Sequence, residues 1–301
     1  MDLTRHLLRI DHITDAEVVE IFSQARRMER EAPGPGLRRP VVGLLFLSSS
    51  LRTRIGFATA AARLGGTPLD VSEARSTAQM SAPESFDDTL RTLSGMVDLV
   101  VVRTPFDLDI DRTMTVARAP VVNGGDGTCA HPTQALIDLF AIEELVGPIG
   151  EQHVAISGDL TMRATRSLLR LLSRFPPRHL TLVAPPSRST HDIRLGDELA
   201  ARTSTGDRND LAGADVLYLP GLPATSGDDH LRADARQQYA FDAKAAEVLP
   251  SHATVLSPLP VVDEVHVDVR SDPRVRMFEQ SDLAVSVRAS ILAWLLASVP
   301  A

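Results

Sequence analysis

Residues 41–64 read VVGLLFLSSSLRTRIGFATAAARL, and this stretch decides the fold of the first half of the chain. The apolar run Val41–Leu47 is typical of a buried strand in a parallel sheet, whose two faces are both covered. A serine-rich turn follows, and the residues from Leu51 toward Leu64 indicate a helix. Strand, turn and helix in this order predict the opening unit of an α/β domain.

The turn and the start of this helix present donors suited to an anion. Ser50 supplies a hydroxyl, Arg52 and Arg54 supply guanidinium groups, and the first helical N–H groups lie at the positive end of the helix dipole. This arrangement favours a tetrahedral oxyanion such as phosphate. The same motif is compatible with a solvated helical turn whose arginines pair with Asp or Glu.

A second motif, HPTQ at residues 131–134, follows GGDG at residues 124–127 and precedes an apolar helix pattern. Pro132 suits the first turn of a helix, so His131 and Gln134 are expected at its amino end, on one face. A histidine there can donate to a carbonyl oxygen, and a glutamine amide can bond to an NH2 group. His131 taken alone is also compatible with a capping or core histidine.

Composition narrows the class of protein. The chain has 301 residues, enough for two domains of about 150 residues, and its 44% hydrophobic and 23% charged residues are ordinary for a soluble globular protein. A net charge of −8 argues against nucleic acid as a general partner. The single cysteine, Cys129, excludes an internal disulfide and multi-cysteine metal sites. No secretion core or membrane span is evident, so we expect a cytoplasmic protein without membrane contacts.

The pattern of the whole chain predicts an α/β fold with two doubly wound parallel-sheet domains, residues 1–146 and 147–301. A helix from Pro132 to about Val146 is expected to bridge them, and an apolar helix over residues 283–298 is expected to pack back on the first domain, with Trp294 in the core. The strand-like runs in the two halves are Val41–Leu47, Pro68–Val71, Leu99–Val102 and Pro120–Val122, then His153–Ser157, Leu180–Ala184, Val216–Leu219 and Thr254–Leu256.

Together these segments resemble the aspartate/ornithine carbamoyltransferase family, and within it the aspartate branch. The resemblance covers nearly the whole chain, in the family's order and close to its spacing. The motifs that carry it are Ser50 to Arg54, Arg103 after an apolar strand, His131 to Gln134, Gly158-Asp159-Leu160 with Arg163, and Ser257-Pro258-Leu259-Pro260.

The resemblance implies a carbamoyltransferase with a role for each motif and no metal or organic cofactor. The first domain would bind carbamoyl phosphate and the second a small amine acceptor. The phosphate would be bound by Ser50, Leu51, Arg52, Thr53 and Arg54. The carbonyl oxygen would be bound by Arg103, His131 and Thr53, and the carbamoyl NH2 by Gln134 and the backbone near Pro258 and Leu259. Arg163, Leu259 and Pro260 would contact the acceptor. The catalytic residues are expected to be Arg52, Thr53, Arg103, His131 and Gln134.

The sequence departs from the family at three positions. The family lysine supplied by a neighbouring subunit aligns with Ala82, and the only lysine in the chain is Lys244. Gly221 stands where the aspartate branch has an arginine that binds a carboxylate, and Val261 stands where another arginine is usual. Two hypotheses follow: an active transferase with an altered acceptor site, or a catalytically weak homologue that serves as a binding or scaffold subunit.

The resemblance also implies an assembly. The family builds its active site across subunits, so we expect a homotrimer or a multiple of it, since a closed ring satisfies heterologous contacts. A hetero-assembly with another subunit is compatible with the scaffold hypothesis.

Overall fold

A computed structural model describes residues 5–30, 39–71, 84–189, 194–222 and 236–298 of the chain. The chain divides into two compact units. The first comprises the residues up to Thr133 together with those from Leu283 onward, and the second is Gln134–Asp282. The functional division at residue 146 into a carbamoyl-phosphate domain and an acceptor domain stays a prediction.

The first unit is built on a four-stranded parallel sheet with the strand order β2-β1-β3-β4. Its strands are β1 Val41–Phe46, β2 Thr67–Asp70, β3 Leu99–Thr104 and β4 Val121–Asp126. Its helices are α1 Asp15–Arg30, α2 Leu51–Arg63, α3 Phe86–Leu93 and α4 Ile110–Val116.

Strands β1 and β3 form the centre of this sheet because their apolar runs are covered on both faces. Leu45, Val100 and Val121 are fully buried in one cluster with Leu90 of α3. Two short helices begin at side-chain caps: Ser85 accepts from the N–H of Asp88, and Asp109 accepts from the N–H of Arg112. Such caps satisfy N–H groups that the helix itself leaves open.

The second unit contains a five-stranded parallel sheet with the strand order β7-β6-β5-β8-β9. Its strands are β5 His153–Gly158, β6 His179–Val183, β7 Thr203–Thr205, β8 Val216–Gly221 and β9 Thr254–Leu256. Its helices are α5 Pro132–Leu145, which begins two residues before the division, α6 Arg163–Leu172, α7 Asp197–Ala201 and α8 Ala243–Val248. The two parallel α/β sheets confirm the predicted fold class.

The last helix, α9 Met277–Leu296, begins earlier than the predicted Leu283. The apolar pattern did not reveal its first turn, since that turn is polar and exposed at Glu279. From Leu283 onward it belongs to the first unit. The guanidinium of Arg288 lies 5.6 Å from the centre of the Phe57 ring, and Trp294 is 4% exposed. The predicted return of this helix to the first unit, and the core position of Trp294, are confirmed. No helix in the described part of the chain is long and apolar enough to cross a membrane.

Both sheets contain one point where the strand order reverses. In the first sheet the chain passes from β1 to β2 on one side and then to β3 on the other. In the second it passes from β5 to β6 and β7 on one side, then to β8 and β9 on the other. Ligands of open α/β sheets bind beyond the carboxyl ends of the strands at such points. The ends of β1 and β3, and of β5 and β8, are therefore the places to search for sites.

Candidate active site

The amino end of α2 lies beyond the carboxyl end of β1, as the sequence predicts. Ser50 is the N-cap residue in an extended conformation, and its side chain makes no capping hydrogen bond. The first N–H groups of α2 are thus not occupied by their N-cap, which leaves them available to an anion. Arg52 is half-buried there, and burial lowers the pKa of its guanidinium. Thr53 is 4% exposed and packs toward Gly124, where a Cβ would lie 3.3 Å from the Thr53 methyl carbon.

Arg54 has a different environment from Arg52. Its Nη1 lies 3.4 Å from Oδ2 of Asp70, and both side chains are over 40% exposed. This contact agrees with the alternative interpretation of Arg54 as a surface arginine that pairs with an acidic residue. Exposed ion pairs contribute only about 0–1 kcal/mol, so a phosphate could replace Asp70 as the partner of Arg54 at small cost.

Arg103 and His131 lie together at the ends of β3 and β4. Arg103 donates from Nη1 to the carbonyl oxygen of Gly124 at 2.8 Å, and the same nitrogen lies 3.5 Å from Nε2 of His131. His131 is 6% exposed, and its Nδ1 lies 3.2 Å from Oγ1 of Thr133. A guanidinium only donates, so this contact fits the tautomer of His131 in which Nδ1 carries the proton and Nε2 accepts.

Asp126 fixes the loop that positions His131, a role that the sequence pattern did not predict. Its buried carboxylate accepts from Arg9 at 2.9 Å and from the N–H of Leu108 at 2.8 Å. The other oxygen accepts from Nδ2 of Asn123 at 2.8 Å and from the N–H of Ala130 at 3.1 Å. A buried carboxylate needs such partners. Asp126 and its donors thus fix the turn that leads from β4 to α5.

Gln134, in the first turn of α5, is oriented by a second buried carboxylate. Its Nε2 donates to Oδ1 of Asp138 at 2.7 Å. The amide oxygen Oε1 therefore points away from Asp138 and can accept from a further group. Asp138 is fully buried and also accepts from Gln280 at 2.7 Å and from the Tyr218 hydroxyl at 2.7 Å. Burial, with the neighbouring Asp138 carboxylate, raises the pKa of Tyr218 well above its usual value. The signal that could have revealed Asp138 is an acid in the middle of the apolar run Ala135–Ile142 of this helix.

Gln280 links this carboxylate to the loop after β9. Its Oε1 accepts from the N–H of Ser257 at 2.9 Å, and the Ser257 hydroxyl accepts from the N–H of Leu259 at 3.2 Å. Leu259 has a φ of 57°. A non-glycine residue in the left-handed region costs about 1–3 kcal/mol and persists where its surroundings hold it. The predicted site residues Pro258, Leu259 and Pro260 therefore lie in a constrained turn.

Two glycines form the strand ends at the reversal point of the second sheet. Gly158 and Gly221 have φ values of 136° and 83°, which favour glycine. The N–H of Asp159 donates to the carbonyl oxygen of Gly221 at 3.0 Å, and a Cβ on Gly158 would lie 3.0 Å from that oxygen. Arg163 is the half-buried first residue of α6. At the carboxyl edge of this sheet, Arg163 follows β5, Gly221 ends β8, and the 258–260 turn follows β9.

The loop that contains Ala82 lies outside the described residues, apart from Glu84. Val261 is half-buried directly after the constrained turn. In the described ranges, no three His, Cys, Asp or Glu side chains are grouped so that they could hold a metal ion.

Two family models cover most of the chain. The model of the carbamoyl-P binding domain of aspartate/ornithine carbamoyltransferase matches residues 5–144. The model of the Asp/Orn binding domain of the same family matches residues 150–295.

Full-length relatives agree with these matches. The chain is 32% identical to the aspartate carbamoyltransferase catalytic subunit of Alkaliphilus oremlandii, over 98% of this chain and 92% of that protein. It is 33% identical to the chloroplastic aspartate carbamoyltransferase of Oryza sativa subsp. japonica, over 96% of this chain and 86% of that protein. The structure of Trypanosoma cruzi aspartate transcarbamoylase in complex with carbamoyl phosphate superposes with a TM-score of 0.88 at 30% identity, over 100% of this chain and 97% of that one. The resemblance seen in the motifs is thereby confirmed, and the chain belongs to the aspartate/ornithine carbamoyltransferase family of carbamoyl-transferring enzymes.

Proposed function

We propose that this protein transfers the carbamoyl group of carbamoyl phosphate to an amine that differs from aspartate. The amine nitrogen forms a bond to the carbamoyl carbon, the bond from that carbon to the phosphate oxygen breaks, and the amine loses one proton as phosphate leaves. The observation that carries the proposal is the group of nitrogen-bearing side chains at the carboxyl edge of the first sheet, where Arg52 follows β1, Arg103 is the next-to-last residue of β3 and His131 follows β4.

The phosphate is expected at the amino end of α2. Its oxygens would accept from the first N–H groups of the helix, from the Ser50 hydroxyl and from Arg52, and the helix dipole adds to the attraction. The lowered pKa of Arg52 reflects the loss of hydration on burial, and an anion in this position would compensate that loss. Support for this placement is the uncapped helix start.

The carbonyl oxygen of the carbamoyl group is expected between Arg103, His131 and Thr53. Charge builds on this oxygen during attack, and donors fixed in advance lower the barrier most. Arg103 is already held by the Gly124 carbonyl oxygen at 2.8 Å. For His131 to donate to this oxygen, its Nε2 must carry a proton.

Gln134 and the 258–260 turn supply the acceptors that the carbamoyl NH2 requires. Asp138 fixes the Gln134 amide with its Nε2 toward the carboxylate, so Oε1 is the atom that can accept from the NH2 group. The carbonyl groups of the turn at Pro258 and Leu259 are further acceptors, and Ser257 holds that turn.

The proposal of an altered acceptor rests on residues at the end of the second sheet. Relatives that match over the full chain are named aspartate carbamoyltransferases, and in the aspartate branch the position of Gly221 is an arginine. Gly221 offers no charge to a carboxylate, and a lost bidentate arginine leaves that carboxylate unpaired. Arg163 is the remaining candidate for an acceptor carboxylate.

The test is a titration with carbamoyl phosphate followed by a search for ureido product. A ligand that binds only the folded protein raises its melting temperature by mass action. We expect carbamoyl phosphate to raise it, phosphate to raise it less, and Arg52→Ala to abolish both shifts. Arg63→Ala, at the exposed far end of the same helix, is the matched control and should respond as the wild type does. No thermal shift at millimolar ligand would contradict the transferase proposal.

A panel of amines then separates enzyme from scaffold. Ureido product from any amine supports an active transferase, whereas firm binding of carbamoyl phosphate with no product from any amine would favour the scaffold subunit. The proposed trimer is tested by light scattering. Leu51 and Ile55, one helical turn apart on α2, are 65% and 53% exposed, as expected for a surface that another subunit covers. A monomer at micromolar concentration would contradict a shared site.

A further inference from the structure

Glu264 is a buried carboxylate at the carboxyl end of the second sheet. It is 5% exposed, and its Oε2 accepts from the N–H groups of Val262 at 2.8 Å and Asp263 at 3.2 Å. Among the described residues, its Oε1 accepts one hydrogen bond, a long one of 3.4 Å from the Ser257 hydroxyl. One oxygen is therefore satisfied by the loop, whereas the other retains capacity for a stronger donor.

Gly221 lies directly against this carboxylate. A Cβ built on Gly221 would approach the Glu264 carboxyl carbon and Oε2 at 3.3 Å and Oε1 at 3.5 Å. The direction in which any L residue would extend its side chain thus leads to the carboxylate. Because Gly221 has a φ of 83°, the backbone itself disfavours a side chain at this position. On the side of β8 the carboxylate thus faces the Gly221 backbone, with no side chain between them.

No cation is bonded to Glu264 within the ranges that the structure describes. Two arginines bond the residues on either side of it: Arg236 donates to Asp263 at 2.8 Å and Arg270 to the carbonyl oxygen of Val265 at 3.5 Å. Burying a charge costs free energy unless donors or an opposite charge accompany it. A carboxylate with one weakly occupied oxygen, at the reversal point of a parallel sheet, is complementary to an N–H donor and repels another carboxylate.

We propose that Gly221 and Glu264 form a subsite for a nitrogen donor group of the acceptor, an ammonium or an amide NH2, in place of the carboxylate that aspartate would bring. The inference rests on the proposed transferase function, and it names the substrate class: amines that carry a second nitrogen donor. Glu264 is the residue that selects this group, through a charge-assisted hydrogen bond from the donor to Oε1. Gly221 contributes by having no side chain in the way.

The test compares three acceptors that differ in their end group. Aspartate ends in a carboxylate, asparagine in an amide, and 2,3-diaminopropionate in an ammonium. Isothermal titration of the wild type in saturating phosphate measures binding, and mass spectrometry of the ureido product with carbamoyl phosphate measures turnover. A charge-assisted bond corresponds to about a tenfold or larger change in affinity. We expect asparagine and 2,3-diaminopropionate to bind at least about tenfold more tightly than aspartate.

Glu264→Gln and Asp263→Asn form a matched pair of variants. Glu264→Gln keeps the size of the side chain and removes its charge, and it should abolish the preference for 2,3-diaminopropionate over aspartate. Asp263→Asn changes the adjacent, exposed carboxylate and should leave the preference intact. A purely structural role of Glu264 would lower the melting temperature without changing the ratio of the two affinities.

Several results would overturn the subsite. These are equal or tighter binding of aspartate by the wild type, binding of none of the three compounds, or an equal loss for all three in Glu264→Gln. The wild-type comparison needs no variant, so a Glu264→Gln protein that does not fold leaves the test intact. Failure of the proposed function is distinguished by the carbamoyl phosphate titration, because that ligand is assigned to residues of the first unit.

Discussion

The two sheets follow the same topological rule and present opposite chemistry at their reversal points. The first offers cations and N–H groups, with Arg52 at the uncapped start of α2 and Arg103 beside His131. The second offers two glycines and the buried carboxylate of Glu264. Strand order determines where a parallel α/β sheet binds ligands, and the side chains at that place determine which ligands it accepts.

The hydrogen bonds that support the two places also differ. Asp126 in the first unit is a buried acid paired with an arginine, Arg9, at 2.9 Å. Asp138 in the second unit receives two glutamine amides and a tyrosine hydroxyl. The ion pair fixes a turn of the backbone, whereas the amide contacts fix the orientation of side chains that could face a neutral NH2 group.

The largest effect is expected from removing a cationic side chain at the site in the first unit. Arg103→Ala removes the donor assigned to the carbonyl oxygen, and we expect kcat/KM to fall by about 100- to 1,000-fold, the usual cost of one such donor. Steady-state formation of ureido product with the best amine of the panel measures it. Arg112→Ala, on the exposed surface of α4, should remain near wild type. A loss of less than about tenfold in Arg103→Ala would place the oxygen elsewhere.

Acid should weaken the first unit through His6. Burial, with a smaller contribution from nearby His12, lowers the pKa of His6 from 6.5 to about 4, and its Nδ1 accepts from the N–H of Val121 at the start of β4. The unfolded histidine takes up a proton below its ordinary pKa and the folded one only near pH 4. The contribution of His6 to the free energy of unfolding is therefore fully present above pH 6.5. It is lost as the pH falls from there to about 4, by on the order of 3 kcal/mol.

Urea unfolding at about pH 7 and about pH 4.5 measures the change for the wild type and His6→Asn. Asparagine can accept the same N–H without titrating, so the variant should lose less stability in acid. His153→Asn in the second unit is the matched comparison. Burial also lowers the pKa of His153, but this residue is only half-buried, so the variant should flatten the pH dependence less. An unchanged acid response in His6→Asn would exclude the mechanism.

Asp138→Leu should sharpen the comparison by removing the carboxylate at the centre of the amide network. Gln134 and Gln280 both donate to Oδ1 of Asp138, and leucine has a similar size but no acceptor atom, so the Gln134 amide loses its fixed orientation. We expect kcat/KM to fall by about 10- to 100-fold. A double-mutant cycle with Gln134→Ala shows how the effect arises, because Asp138→Leu should cost less than about threefold when Gln134 is already alanine. Tyr218→Phe, which leaves Oδ1 untouched, should have the smaller effect; an undiminished loss in the Gln134→Ala background would contradict a positioning role.

The smallest effect concerns the glycine at the end of β8. Gly221→Ala forces an L residue into the left-handed region and brings a Cβ to 3.3 Å from the Glu264 carboxylate, whereas Gly65→Ala has a similar φ of 75° with nothing within 4 Å. We expect Gly65→Ala to lose about 1–2 kcal/mol of unfolding free energy and Gly221→Ala to lose more. Urea denaturation compares them. An equal loss would show that Glu264 yields to the added carbon at no cost.

The sequence predicted most of the fold because buried parallel strands are continuous apolar runs. The runs that begin at Val41 and Leu99 became β1 and β3. β4 extends from Val121 to Asp126, beyond the predicted Val122, because Asn123 and Asp126 satisfy each other inside the sheet and so carry no apolar signal. The edge strand β7, Thr203–Thr205, was not predicted, since three hydroxyl residues give no hydrophobic pattern.

The sequence by itself determined the two parallel sheets, the cationic start of α2 and the family, because each depends on residues that are neighbours along the chain. Only the tertiary structure decided which groups support the site. Arg9 meets Asp126 across 117 residues, Tyr218 meets Asp138 across 80, and Gln280 meets Asp138 across 142. The placement of Glu264 against Gly221 belongs to the same class. Hydrogen bonds between distant residues leave no periodic trace in a sequence, since they are fixed by the packing of whole elements and not by local conformational preference.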